Sequence, residues 1–311
     1  MEGPLYTMRR GLQIRPASFT TAHLSVMLAH RTVCFTGHAG ITLAGDAWGD
    51  ASAAPVLLLP GGGQTRHSWR GTGRAIAHAG WQALALDARG HGDSAWAADG
   101  DYTIDAFAAD LRAVVAALGR PPIVVGASLG GITALLAEGE APGTAAAVVL
   151  VDVAARIEIA GAERVRAFMS AFPEGFASLE DAADAVAAYL PHRPRPRQLA
   201  GLTKSLRRRP DGRWRWHWDP RFLAGARPPA EIANPPRLAA AAAALTVPTL
   251  LVRGRKSDVL SEEGAAHFLG LVPHARYVDV SGAGHMVAGD RNDRFTDAVL
   301  EFLSDLRALP A

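Results

Sequence analysis

Cysteine is almost absent. Cys34 is the only one in 311 residues. One thiol cannot close an internal disulfide, and alone it cannot build a zinc site. Cys34 is expected to pack as a small apolar residue beside Val33 and Phe35. No cluster of metal-ligating side chains stands out, so neither a metal nor an organic cofactor is implied. Long apolar runs are missing as well. Nowhere do about 18 apolar residues follow one another, so no membrane span is expected. An excess of one charge is missing too. The formal net charge is +2, which argues against nucleic acid as a general partner. Arg15, Pro16 and His23 interrupt any apolar stretch near the N-terminus, so a secretory leader is not expected. Nothing calls for an oxidising compartment, and the expected location is the cytoplasm.

What is there is an ordinary globular composition, with 49% hydrophobic and 20% charged residues. That length can bury a large core, or one domain plus an insertion. Residues 1–30 show no clear period and read as an N-terminal extension, a candidate for disorder, with Met27 as an alternative start. Short apolar runs then alternate with helical patterns. Arg31–Phe35 and Ile41–Ala47 suggest a hairpin. Strands are expected at Pro55–Leu59, Trp81–Leu86, 122–126, Ala146–Val151, Thr249–Val252 and Arg276–Val280. Helices are expected near Ser68–His78, Ile104–Leu118 and Arg294–Leu306. This alternation predicts an α/β fold, with a mostly parallel, doubly wound sheet covered on both faces. The core is expected to comprise 31–153 and 237–311. Between them, 154–236 reads as a helical cap over the carboxyl ends of the strands, where open α/β sheets bind ligands. The alanine run at 239–244 is expected to be a packed helix.

Gly126-Ala127-Ser128-Leu129-Gly130 sits where the run Pro122-Ile123-Val124-Val125 meets a helical pattern beginning Ile132-Thr133-Ala134. A serine on such a strand-to-helix turn is held in a strained conformation and points away from the sheet. Both glycines are needed because side chains there would strike the neighbouring strand and helix. A serine hydroxyl needs a base, and the base needs an orienting carboxylate. Asp258 follows the strand at 249–252, and His285 follows the strand at 276–280 within Ser281-Gly282-Ala283-Gly284-His285. They are the expected acid and base beside Ser128. Asp152 and Asp87, also at strand ends, are alternative carboxylates, and Asp290 is expected to cap the final helix or pair with Arg291. The oxyanion hole needs two backbone donors. The expected pair is the N–H of Leu129 and that of Gly62, with Gly63 in reserve, from Pro60-Gly61-Gly62-Gly63-Gln64.

Within the insertion, residues 192–215 carry nine Lys or Arg against one acid, Asp211. A solvated basic face is the expected reading; an anionic substrate is the alternative. Trp214, Trp216 and Trp218 alternate with Arg213, Arg215 and His217, which places the indoles on one face of an extended segment. They are candidates either for anchoring the insertion or for lining a substrate pocket. His217 is expected to be a surface or lid hydrogen-bonding residue.

Over roughly residues 31–308 the chain resembles the α/β-hydrolase fold family. The resemblance rests on the Gly126–Gly130 pentapeptide, Asp258, Gly284-His285 and Asp87-Ala88-Arg89-Gly90-His91-Gly92-Asp93-Ser94. The last is similar to the turn after the fourth strand in many members, which makes His91 structural. The family's oxyanion loop often begins His-Gly; here it begins Pro60-Gly61, so the side-chain contacts of that histidine are lost. The resemblance implies a serine hydrolase, expected to act on small to medium apolar carboxylic esters through an acyl-enzyme. Carbon–carbon bond hydrolysis, cofactor-free perhydrolysis and a slow-turnover sensor remain alternatives. The expected partner is a small molecule, with no nucleic acid and no membrane; the oligomeric state stays open.

Overall fold

The computed structural model describes residues 30–195, 198–224, 236–287 and 292–308. The expected N-terminal extension, His30 apart, lies outside the described residues, as does Asp290. Eight strands form one sheet: β1 (Arg31–Thr36), β2 (Thr42–Trp48), β3 (Pro55–Leu59), β4 (Gln82–Leu86), β5 (Ile123–Ala127), β6 (Ala147–Val151), β9 (Thr249–Gly254) and β10 (Arg276–Val280). Their order is β1-β2-β4-β3-β5-β6-β9-β10. β2 is antiparallel to both β1 and β4, and every other pairing is parallel.

The central strands are apolar along their whole length because both faces of the sheet are covered. All of Ala147–Val151 is buried. The pleat sends alternate side chains to opposite layers. Leu57, Val124, Val148 and Leu150 join Leu111 and Val114 of α2 (Ile104–Leu118) and Leu135 of α3 (Leu129–Glu140). Val56, Leu58, Val125 and Val149 join Ile76 of α1 (Arg70–His78) and, from the last helix (Asn292–Ala308), Phe295 and Val299. Each fully buried Val or Leu contributes about 1.5–3 kcal/mol. α2 shows the local logic of its ends. Thr103 caps it by accepting from the Ala106 amide, and Gly119 closes it in the left-handed region at φ 68°.

β1 is an edge strand, and this overturns the expectation for Cys34. Val33 and Phe35 pack against the core while Cys34, one residue out of phase, is exposed.

The segment between β6 and β9 carries α4 (Ile159–Ser170) and α5 (Leu179–Tyr189), then a short antiparallel hairpin of β7 (Leu206–Arg208) and β8 (Trp214–Trp216). The insertion is therefore not purely helical. The Trp-Arg-Trp alternation is the period of a strand, and it pairs Leu206 with Trp216. A one-turn helix, α6 (Arg221–Ala224), follows. The alanine run falls in α7 (Pro236–Ala243), which lies so close to α3 that a side chain at Gly139 would collide with the Ala241 backbone.

The turn from β5 into α3 depends on the same close approach. A Cβ at Gly126 would overlap the Gly130 backbone, and one at Gly130 would lie 2.5 Å from the Leu59 carbonyl oxygen of β3. Ser128 between them has φ 47° and ψ −113°. Neither backbone can yield without opening the sheet–helix contact. Gly130→Ala is therefore expected to destabilise the fold by roughly 1–3 kcal/mol or more, read as a lowered midpoint in urea unfolding. An unchanged midpoint would mean that the gap is wider than this packing requires.

Candidate active site

Parallel pairing brings the carboxyl ends of β3, β5, β6, β9 and β10 to one edge of the sheet, and the loops that leave them meet there. Ser128 follows β5, and its amide donates to the Val151 carbonyl at the end of β6 at 3.1 Å. Asp152 follows β6, fully buried and in the left-handed region at φ 52°. Its amide donates to the Val252 carbonyl of β9 at 2.7 Å. His285 follows β10. Two backbone bonds tie the loop after β9 to that turn: Arg255 N–H to the Val280 carbonyl at 3.0 Å and Lys256 N–H to the Ala283 carbonyl at 2.8 Å.

His285 Nδ1 lies 2.7 Å from Asp152 Oδ2. An ionised carboxylate only accepts, so Nδ1 carries the proton and Nε2 is left as the basic nitrogen. Asp152 Oδ1 accepts from the Gly254 amide at 2.8 Å, and Ser257 Oγ donates to Oδ2. The carboxylate is thus buried with a donor on each oxygen, the condition under which burial of a charge is tolerable.

Asp258 takes no part in this. Its Oδ2 lies 2.8 Å from Arg164 Nε on α4, and its side chain is 37% exposed. Contrary to expectation, the carboxylate that meets His285 is Asp152 and not Asp258. The chain turns tightly after β9, with the Ser257 amide returning to the Gly254 carbonyl at 2.8 Å. That turn aims Ser257 inward and carries Asp258 out towards the insertion. A sequence signal for Asp152 did exist: Ala147-Val148-Val149-Leu150-Val151 runs straight into an aspartate. A carboxylate that ends a wholly apolar strand needs a partner.

Asp87 is buried as well, but it is spent elsewhere. It accepts from the Arg66 amide and guanidinium and from the Asp93 amide at 2.9 Å. His91 is buried in the same turn, its Nδ1 2.9 Å from the Arg89 carbonyl, and burial lowers its pKa to about 4. Both serve the turn after β4.

The loop Pro60–Gly63 lies against the elbow. A Cβ at Gly61 would stand 3.4 Å from Ser128 Cβ, and one at Gly62 would stand 3.9 Å from Leu129 Cδ2. Among the described residues, neither the Gly62 nor the Leu129 amide has a hydrogen-bond acceptor. Leu129 is the first residue of α3, where an N–H has no partner within the helix. The Gln64 side chain ties this loop at both ends. Its Oε1 accepts from the Gly61 amide at 3.1 Å, and its Nε2 lies 3.0 Å from Met286 Sδ, beside His285.

Among the described residues, part of the basic run is ion-paired. Arg195 meets Asp184, Arg207 meets Asp93, and Arg215 meets Asp211. Arg209 lies over the Trp96 ring. Trp214 and Trp216 pack on Phe176 and Leu206 inside the insertion, Trp216 stacks on Trp218 with ring centroids 5.0 Å apart, and a Cβ at Gly63 would stand 3.3 Å from the Trp218 ring. His217 is buried rather than on the surface.

Comparison with known proteins agrees with this arrangement of strands and loops. A family model described as the alpha/beta hydrolase fold matches residues 54–291. The chain is 33% identical to the esterase Rv0045c of Mycobacterium tuberculosis over 251 residues, covering 78% of this chain and 80% of that protein. It is 28% identical to a 3-hydroxybutyrate-oligomer hydrolase of Cupriavidus necator over 259 residues, covering 76% and 85%. A solved alpha/beta hydrolase from Novosphingobium aromaticivorans superposes with a TM-score of 0.74 at 27% identity, covering 89% of this chain and 99% of that one. The chain belongs to the α/β-hydrolase fold family, and it is a hydrolase. Among the described residues, no helix is long and apolar enough to cross a membrane.

The contact with His285 separates the two carboxylates experimentally. Asp152→Asn is expected to lower kcat by roughly three to four orders of magnitude. Asp258→Asn, which breaks an exposed ion pair, should change kcat by no more than about twofold. Steady-state kinetics on the two purified variants checks this, and the reverse pattern would return the acid role to Asp258.

Proposed function

We propose that this protein is a serine hydrolase of small carboxylic esters, with Ser128 as nucleophile, His285 as general base and Asp152 as the orienting acid. The observation that carries the reading is the His285 Nδ1–Asp152 Oδ2 hydrogen bond of 2.7 Å at the sheet edge from which the Ser128 elbow also projects. It fixes the tautomer that leaves Nε2 free to take a proton.

In this mechanism Ser128 Oγ attacks the ester carbonyl carbon as His285 Nε2 takes the hydroxyl proton. The carbonyl oxygen becomes an oxyanion and is held by the Gly62 and Leu129 amides. Asp152 stabilises the imidazolium without taking its proton. Collapse of the tetrahedral intermediate breaks the carbon–oxygen bond to the alcohol, which leaves with the proton from His285. Water then attacks the acyl-enzyme, His285 again acting as base, and the acid is released with Ser128 restored.

Ester chemistry is favoured over the other reactions open to such a triad by the relative at 33% identity, which is named an esterase; the relative at 28% is named a 3-hydroxybutyrate-oligomer hydrolase. Residues 154–236 are read as a cap over the strand ends. Trp218, near Gly63, is its candidate pocket wall, backed by Trp216 stacked upon it, while Trp214 serves the cap's own packing. The substrate is a small molecule with an apolar acyl or alcohol part.

The test is covalent. A fluorophosphonate probe is expected to add one label, and peptide mapping should place it on Ser128. Ser128→Ala should abolish both the label and the turnover of p-nitrophenyl acyl esters. A label elsewhere, or ester turnover that survives in Ser128→Ala, would overturn the assignment.

A further inference from the structure

The oxyanion loop is built from Gly61, Gly62 and Gly63, the residue type with the widest backbone freedom. A donor on such a loop is useful only if something outside the loop fixes its direction. On the near side, Gln64 holds Gly61 through both bonds available to it. Its Oε1 accepts from the Gly61 amide at 3.1 Å, and its own amide donates to the Gly61 carbonyl at 3.0 Å. On the far side, the Gly63 carbonyl lies 3.2 Å from Nε2 of His217, which comes from the insertion.

The His217 ring can make that bond in one way only. Its Nδ1 lies 2.6 Å from the Gly92 amide, which can only donate, so Nδ1 is unprotonated and Nε2 carries the hydrogen. Burial lowers the His217 pKa to about 3, so the ring stays neutral at ordinary pH. The ring is 2% exposed. Neighbours from the same segment close on the loop as well. A Cβ at Gly62 would stand 3.5 Å from the Phe222 ring, and one at Gly63 would stand 3.3 Å from the Trp218 ring.

The segment that carries these groups is fixed to the core. The Asp219 amide donates to the Gly90 carbonyl at 2.9 Å. Tyr102 donates to Asp219 Oδ2 at 2.6 Å, and Arg221 donates to the Ala97 carbonyl at 2.8 Å. His217 is therefore a rigid post, not a side chain on a swinging lid.

We propose that His217 is a positioning residue for the oxyanion hole, holding the Gly63 carbonyl so that the Gly62 amide points at the carbonyl oxygen of the substrate. The insertion thereby completes the catalytic geometry as well as covering it. This rests on the serine mechanism proposed above. It also accounts for the Pro60-Gly61 start of the loop, because Gln64 and His217 grip from both sides a loop that has no histidine of its own.

The selective variant is His217→Asn. Its side-chain oxygen can still accept from Gly92, but its amide is too short to reach Gly63. His217→Gln reaches Gly63 and is the restoring variant. Active sites are first counted with a fluorophosphonate, so that unfolded chain does not enter the rates. Per counted site, His217→Asn is expected to lose roughly 10- to 100-fold in kcat, with KM within about twofold. Affinity for a trifluoromethyl ketone, which forms the charged tetrahedral adduct, should fall with kcat/KM. The shape of the pH–rate profile should not change, and His217→Gln should recover most of the loss. Gln64→Met, which removes the Oε1 bond to Gly61 but leaves the backbone bond, should give a smaller loss of the same kind. If His217→Asn keeps its kcat per counted site and loses only melting temperature, the proposal is overturned and His217 is a packing residue. Ester turnover that survives in Ser128→Ala would instead sink the underlying serine mechanism, so the two failures are distinct.

Discussion

A buried carboxylate organises this end of the molecule. Asp152 is fully buried, and an unpaired charge in that position would be prohibitively costly. Its stability depends on donors from three directions: the Gly254 amide at the end of β9, the Ser257 hydroxyl one turn later, and His285 from the loop after β10. None of these is close to Asp152 in sequence. They converge because β6, β9 and β10 are consecutive neighbours in the sheet and run the same way. Satisfying one charge therefore fixes the conformation of two loops and the tautomer of an imidazole.

The Ser128 turn is held by sterics rather than charge. Ser128 sits at φ 47°, a conformation that a non-glycine residue reaches only at a cost. On either side of it the backbones approach so closely that neither Gly126 nor Gly130 has room for a side chain. The same compression presents the first amide of α3 without a partner. The loop of three glycines after β3 is the reverse case, a backbone with few side-chain restraints of its own, which Gln64 and His217 bond from opposite sides of Gly62. In the proposed mechanism, the strained turn, the buried carboxylate and the supported loop each solve a different problem of preorganisation.

Much of the fold was legible because buried parallel strands announce themselves. Pro55–Leu59 and Ala147–Val151 are unbroken apolar runs, and the helices between them keep their period. The elbow was legible because its glycines answer a local steric need. Errors arose where the deciding contact is long-range. Asp152 and Asp258 both follow strands, and only the turn at Ser257 decides which faces His285. Cys34 lies between two apolar residues, yet an edge strand turns it outward. The Trp214–Trp216 alternation has the period of a strand, but its partner strand at Leu206–Arg208 is too short to carry a pattern of its own. His217 gave no sign of its burial, since both of its hydrogen bonds go to the backbone of remote glycines, Gly63 and Gly92.

The most direct measurement is a crystal structure of the protein inactivated with an alkylphosphonate ester. The account predicts a covalent bond from phosphorus to Ser128 Oγ and a phosphoryl oxygen within hydrogen-bond reach of the Gly62 and Leu129 amides. It also predicts that His285 lies between the adduct and Asp152. An adduct on another residue, or His285 turned to Asp258 in the adduct, would contradict it.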